Sequence, residues 1–176
     1  MFKNFNHSNI QFMNWAYLHV IINHFPIVGV IIGTLILIAG MIFKNEGIKI
    51  SGLGTIIFAA LAAIAVDLTG DPAREAVRGM PDIVLSLINR HENIAVVALF
   101  IIIPAGLMAA VTLFSIWKKV KSVRFLLIIT VIISLISCAA MGYVGRTGGQ
   151  IRHTEFRSDA TKQYIIDHQN DPVEEE

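Results

Sequence analysis

The chain has 176 residues, 55% of them hydrophobic and only 15% charged, with a mean hydropathy of +0.65. Soluble domains carry roughly a quarter charged residues, so this composition excludes an ordinary water-soluble globule and points to an integral membrane protein. A net charge of +1 gives no sign of a nucleic-acid surface, and the single cysteine, Cys138, lying within an apolar run, excludes a disulfide framework.

Residues 1–16 are polar and aromatic and lack the basic region, short apolar core and small-residue cleavage site of a signal peptide, so the first apolar run is expected to persist as a true span. Four runs have spanning length: 18–43, 48–68, 94–117 and 125–144. A helix needs about 20 mainly apolar residues to cross the hydrocarbon core, and backbone groups in lipid must be satisfied internally. The expected fold is therefore all-α, an up-and-down four-helix membrane bundle over residues 1–157, followed by a polar C-terminal tail over 158–176. Gly29 and Gly33, like Ala59 and Ala63, are four apart and are expected at close helix–helix contacts.

The connections differ in kind. Residues 44–47 and 118–124 are short and rich in lysine and arginine. Residues 69–93 are long and amphipathic. Asp71-Pro72 and Pro81-Asp82 read as helix starts, because proline suits the first helical turn. Ile83, Val84, Leu87 and Ile88 recur at helical spacing, as an interfacial helix or an extension of span three. The density of Lys44, Lys49, Lys118, Lys119, Lys121 and Arg124 near the membrane ends places the short connections in the cytoplasm, although the opposite side carries eight cations against these six. Both termini are then expected on the periplasmic face of a bacterial inner membrane.

Alternating span direction brings four histidines to one end. His19 and His24 lie at the start of span one, His91 just before span three and His153 shortly after span four. His7 and His168 lie in polar tails and receive no role. His19 and His24 are about 140° apart on an ideal helix and do not share a face, whereas Asn23 shares the face of His19. Pro26 frees the carbonyl of Ile22 and permits a kink. The Gly148-Gly149 pair is expected to turn the chain back over the bundle, so that His153 and Glu155 cap the same crevice. A ligating imidazole usually gives its other N–H to an acceptor, which makes Asp67, Glu92, Glu155 and Asn23 candidates for that role.

Converging imidazoles suit a haem held by two axial histidines, with His24 and His91 the expected pair and His19 and His153 the other candidates. Arg74, Arg78, Arg90 and Arg152 lie on the side needed to pair with haem propionates. The absence of Cys-x-x-Cys-His excludes c-type attachment and leaves haem b. The same histidines with carboxylates would also suit Zn, Cu or non-haem Fe.

Four motifs, Leu18-His19 to Asn23-His24-Phe25-Pro26, Thr69-Gly70-Asp71-Pro72-Ala73, His91-Glu92, and Gly148-Gly149-Gln150-Ile151-Arg152-His153-Thr154-Glu155, resemble those of a bacterial family of four-helix integral membrane proteins. That family is known as a domain of unknown function and is described as cytochrome-b-like. The resemblance extends to about Arg157 and departs at Asp71-Pro72, where the family pattern has a Glu-Gly type pair. It implies the four-span fold and marks these histidines as signature positions, with little implied about activity. Three functions remain open at this level. One is a b-type cytochrome passing electrons between a quinol and a periplasmic partner. The others are a metal-binding membrane protein or enzyme, and a structural subunit of a larger membrane complex.

Overall fold

The computed structural model describes residues 7–78, 80 and 83–168, with side chains from Trp15 onward. Among the described residues its helices are α1 (His7–Ile22), α2 (His24–Ile42), α3 (Glu46–Asp67), α4 (Gly70–Val77), α5 (Leu85–Trp117), α6 (Val123–Arg152) and α7 (Asp159–Asp167), with a 3₁₀ turn at Thr154–Phe156. No strand occurs among the described residues, so the all-α expectation holds. Four helical stretches are long and apolar enough to cross a bilayer: Trp15–Ile42, Glu46–Asp67, Leu85–Trp117 and Val123–Arg152. The chain is a multi-pass membrane protein.

Helices α2, α3, α5 and α6 form a closed ring. α2 packs on α3, α3 on α5, α5 on α6, and α6 returns to α2. Successive helices are antiparallel neighbours, as short connections require. The side-chain distribution is the reverse of a soluble core. Leu35, Phe100 and Leu107 are 61–75% exposed on the outer surface. The interior holds Ala59, Ala60, Ala63, Ala98, Ala105 and Ala109 with the hydroxyls of Thr34, Thr112, Thr130, Ser134 and Ser137. In lipid, large apolar side chains gain nothing by leaving the surface, while small residues let backbones approach and hydroxyls bond across helices. Thr112 and Thr130 make one such bond between α5 and α6, at 2.8 Å.

The expected glycine contacts form, and α2 meets α3 through them. A Cβ on Gly29 would lie 3.1 Å from the Ala59 Cβ, and one on Gly52 would lie 2.5 Å from the Leu37 backbone nitrogen.

Span one is interrupted at Asn23, where Pro26 cannot donate to the Ile22 carbonyl. Asn23 keeps right-handed helical angles (φ −64°, ψ −19°) and its N–H reaches the His19 carbonyl at 2.9 Å, so the interruption is a single residue. α4 starts at Gly70, two residues before Pro72, which falls within the first turn where its missing N–H costs nothing. Of the two readings for Ile83 to Ile88, the structure takes the extension: α5 runs unbroken from Leu85 to Trp117. The expected start at Pro81-Asp82 lies outside the described residues.

The expected turn at Gly148-Gly149 does not form. α6 continues through both glycines to Arg152. Each glycine costs about 1 kcal/mol of helix propensity, which the packing of buried Thr147 and Gln150 outweighs. Arg157 then closes the helix end: its Nε and a terminal nitrogen donate to the Gln150 and Ile151 carbonyls, each at 2.9 Å. The segment read as a polar tail forms α7 within the described residues, capped by the Ser158 hydroxyl. The Arg90 guanidinium lies 5.0 Å from the Tyr164 ring centroid and ties α7 to α5.

Both short turns have the same construction. After α2, Lys44 N–H bonds the Met41 carbonyl and Asn45 N–H bonds the Gly40 carbonyl. After α5, Lys119 N–H bonds the Ile116 carbonyl and Val120 N–H bonds the Ser115 carbonyl. These are paired Schellman turns, and their left-handed residues are Lys44 (φ 52°) and Lys119 (φ 53°).

A two-histidine site at one end of the bundle

His19 lies near the end of α1 and His91 in the second turn of α5. Each imidazole meets a threonine at the end of a different span. His19 Nδ1 lies 2.8 Å from Thr69 Oγ1, and His91 Nδ1 lies 3.2 Å from Thr147 Oγ1. Both threonines are buried. The Thr69 hydroxyl donates its proton to the Val66 carbonyl at 2.7 Å, and the Thr147 hydroxyl donates to the Val144 carbonyl at 3.0 Å. A hydroxyl has one proton, so each must accept from the imidazole. Both neutral rings therefore carry their proton on Nδ1, and both keep a bare lone pair on Nε2. That is the ligating form of histidine, with its tautomer and ring angle set by the second nitrogen.

The two half-sites are equivalent. Val66-Asp67-Leu68-Thr69-Gly70 ends span two, and Val144-Gly145-Arg146-Thr147-Gly148 ends span four. Each is a Val-x-x-Thr-Gly sequence holding the histidine that begins the preceding helical hairpin. His19 and His91 occupy matching places in the two hairpins. Gly148 makes room for the ring: a Cβ there would lie 3.0 Å from His91 Cε1.

Around them, Arg74 of α4 forms an ion pair with Glu92 of α5 at 2.8 Å, both partly buried. α1 packs chiefly on α4, so this pair ties the His19 side of the site to the His91 side. Among the described side chains, four buried polar atoms lack a partner: Asn23 Oδ1, Ser86 Oγ, Asn89 Oδ1 and Ser134 Oγ. The first three belong to this end of the bundle. Buried polar atoms in a native protein are normally paired, so these three are the unsatisfied polar atoms of the histidine end.

The other expected ligands are elsewhere. His24 is exposed on α2, with its Nδ1 on the Val20 carbonyl at 3.0 Å. Five residues from His19, it falls on another face, and the one-residue interruption at Asn23 is too small to turn it back. His153 caps α6 outside the bundle, 3.0 Å from Glu155, and its ring lies 5.2 Å from that of Phe156. It is carried there because α6 stays helical through the glycines. The Glu155 carboxyl is held below the usual carboxylate range by its own backbone hydrogen bond and then by His153. Asp67 is exposed on the last turn of α3, and Thr69, two residues on, occupies the acceptor position expected of it. Glu92 faces Arg74, Arg90 donates to the Tyr143 hydroxyl at 3.2 Å, and Arg152 is exposed.

Among the described residues no three His, Cys, Asp or Glu side chains gather to hold a metal ion. The fold is a four-span membrane bundle with two threonine-held imidazoles, His19 and His91, at one end. The chain matches no family model, and no curated protein or solved structure is significantly similar to it.

Proposed function

We propose that this is a b-type-cytochrome-like electron-transfer protein in which His19 and His91 hold a haem iron between α1 and α5. The observation that carries this reading is the pair of threonine-fixed imidazoles, each with Nε2 free. A bare Zn, Cu or non-haem Fe site draws three or four ligands from the protein. A haem brings four nitrogens and needs one or two. A centre offering two imidazoles and no third ligand group among the described residues fits the second case.

Bound haem supplies a one-electron couple. The chain's own residues do the rest. Thr69 and Thr147 fix the tautomers, and Gly148 lets the His91 ring sit against α6. The Arg74–Glu92 pair holds α4 across the site and sets the charge beside it. Placing the lysine-rich turns in the cytoplasm puts the haem on the periplasmic side of a bacterial inner membrane. There it would accept electrons from a quinol and pass them to a periplasmic redox partner or a larger membrane complex.

The test is the visible spectrum of the purified protein, oxidised and dithionite-reduced. A Soret band with a sharp reduced α-band, at one haem per chain, is the expected result. A featureless spectrum with stoichiometric metal by elemental analysis replaces haem with a bare ion. A featureless spectrum, with or without bound metal, overturns the haem proposal.

A further inference from the structure

The end of the bundle opposite the histidines carries a second concentration of chemistry. A groove with a cavity volume of about 610 Å³ runs between α3 and α5, lined by Ile50, Ile57, Leu113, Phe114, Trp117 and Lys119 among others. Ile50, Phe114 and Trp117 are exposed, so these walls face the surroundings of the bundle. The mouth lies at the turn after α5. There the Lys118 Nζ stands 4.2 Å from the centroid of the Trp117 ring and 5.6 Å from that of Phe114. Lys44, Lys49, Lys118, Lys119, Lys121 and Arg124 give this end six cations, against one carboxylate, Glu46. Glu46 also lines the groove but sits in the first turn of α3, where the helix field accommodates a negative charge.

The geometry points to a binding site for an anionic phospholipid of the leaflet at this end. An acyl chain fills the apolar groove between α3 and α5, and the headgroup phosphate meets Lys119, with Lys118 held beside it over Trp117. The occupant is a lipid because the groove opens between two membrane spans, where the bilayer supplies acyl chains at that depth. It is an anionic lipid because a zwitterionic headgroup would leave the excess of cations uncompensated, whereas basic pockets between spans retain anionic headgroups. This site is independent of the histidine centre.

Trp117 is the probe. The chain has two tryptophans, so Trp15→Phe leaves Trp117 as the sole emitter. The protein is reconstituted in phosphatidylcholine vesicles containing graded amounts of phosphatidylglycerol brominated on its acyl chains, and in parallel with brominated phosphatidylcholine. Quenching by the brominated phosphatidylglycerol is expected to saturate at a several-fold lower mole fraction than quenching by brominated phosphatidylcholine. Lys119→Gln should raise that mole fraction about fivefold, the effect of one lysine near an anionic surface. Superimposable curves for the two lipids in the lysine-intact protein overturn the proposal, whatever the lysine variant does. So does a Trp117 that neither quencher reaches, since the groove would then be covered by protein, a second copy included.

Discussion

His19 and Thr69 are 50 residues apart in sequence, yet the imidazole Nδ1 meets the threonine hydroxyl at 2.8 Å. The same hydroxyl is committed as a donor to Val66, so the proton between them belongs to the imidazole. Thr147 does the same for His91. Thr69→Val and Thr147→Val keep shape but remove the acceptor, freeing each ring to change tautomer. Loss of such a partner typically costs about 10–100-fold in affinity. Titration of the apoprotein with haemin should show that loss for each valine variant and its recovery with Thr→Ser. Wild-type affinity in both valine variants would leave the threonines as helix-end caps.

The histidines themselves separate into two classes. His19→Ala and His91→Ala should each abolish haem retention through purification. His24→Ala and His153→Ala should retain haem at the wild-type ratio, because both side chains are exposed and satisfied locally. The haem-to-protein ratio after size exclusion checks this. Loss with His24→Ala and retention with His19→Ala would restore the pairing that residue order alone favours.

That contrast shows what the sequence carries. Span number and the shared end of the histidines follow from apolar length and alternation, which depend on few residues at a time, whereas spans three and four run eight or nine residues past their expected limits of 94 and 144, from Leu85 and to Arg152. Which histidines face each other depends on helix phase, and phase is decided by single residues. The five-residue step from His19 to His24 and the persistence of α6 through Gly148-Gly149 each move one imidazole out of the site. The second depends on Arg157, eight residues beyond Gly149, capping the helix by hydrogen bonds that no local pattern announces. The threonines were legible in principle. Val-x-x-Thr-Gly occurs at the ends of spans two and four, and a repeat at equivalent places in two hairpins is a sign of paired function.

The four-span topology makes a labelling prediction. In a Cys138→Ser background, Asp71→Cys and Ala160→Cys should react with a membrane-impermeant maleimide from one side only. Lys121→Cys and Ser122→Cys should react only from the other. All four replaced side chains are exposed, so failure to label reports sidedness and not burial. Reaction of residues 71 and 160 from opposite sides would remove one span and break up the histidine end.

The contact between α2 and α3 sets a stability prediction within a single helix. A Cβ on Gly52 would lie 2.5 Å from the Leu37 nitrogen and 2.7 Å from its Cα. Backbone cannot step aside as a flexible side chain can, so Gly52→Ala must push the helices apart, at about 1–3 kcal/mol for overpacking. Gly54, two residues on, has nothing within 4 Å of a built Cβ. There the alanine should be neutral, or stabilise by up to about 1 kcal/mol through helix propensity. Denaturation of the reconstituted protein should order the variants Gly54→Ala, wild type, Gly52→Ala, from most to least stable.

Gly148 and Gly149 form a matched pair of the same kind at the site itself. Both are helical, so alanine at either removes the flexibility of a glycine and should favour α6 by up to about 1 kcal/mol. Only one of them touches the centre. A Cβ at 148 would stand 3.0 Å from His91 Cε1 and 3.4 Å from its Nδ1, whereas one at 149 meets nothing within 4 Å. The His91 ring must shift by a few tenths of an ångström to admit the methyl group, and that shift lengthens its 3.2 Å contact with Thr147 and re-aims Nε2. Gly148→Ala should therefore keep the helical content and thermal stability of the wild type while weakening haem binding. Its low-spin absorption bands should broaden or convert to a high-spin form as one axial imidazole is lost. Gly149→Ala should bind haem as the wild type does. Indistinguishable spectra and affinities for the two variants would show that the His91 ring bears on no bound group, and the bis-imidazole reading would fall with it.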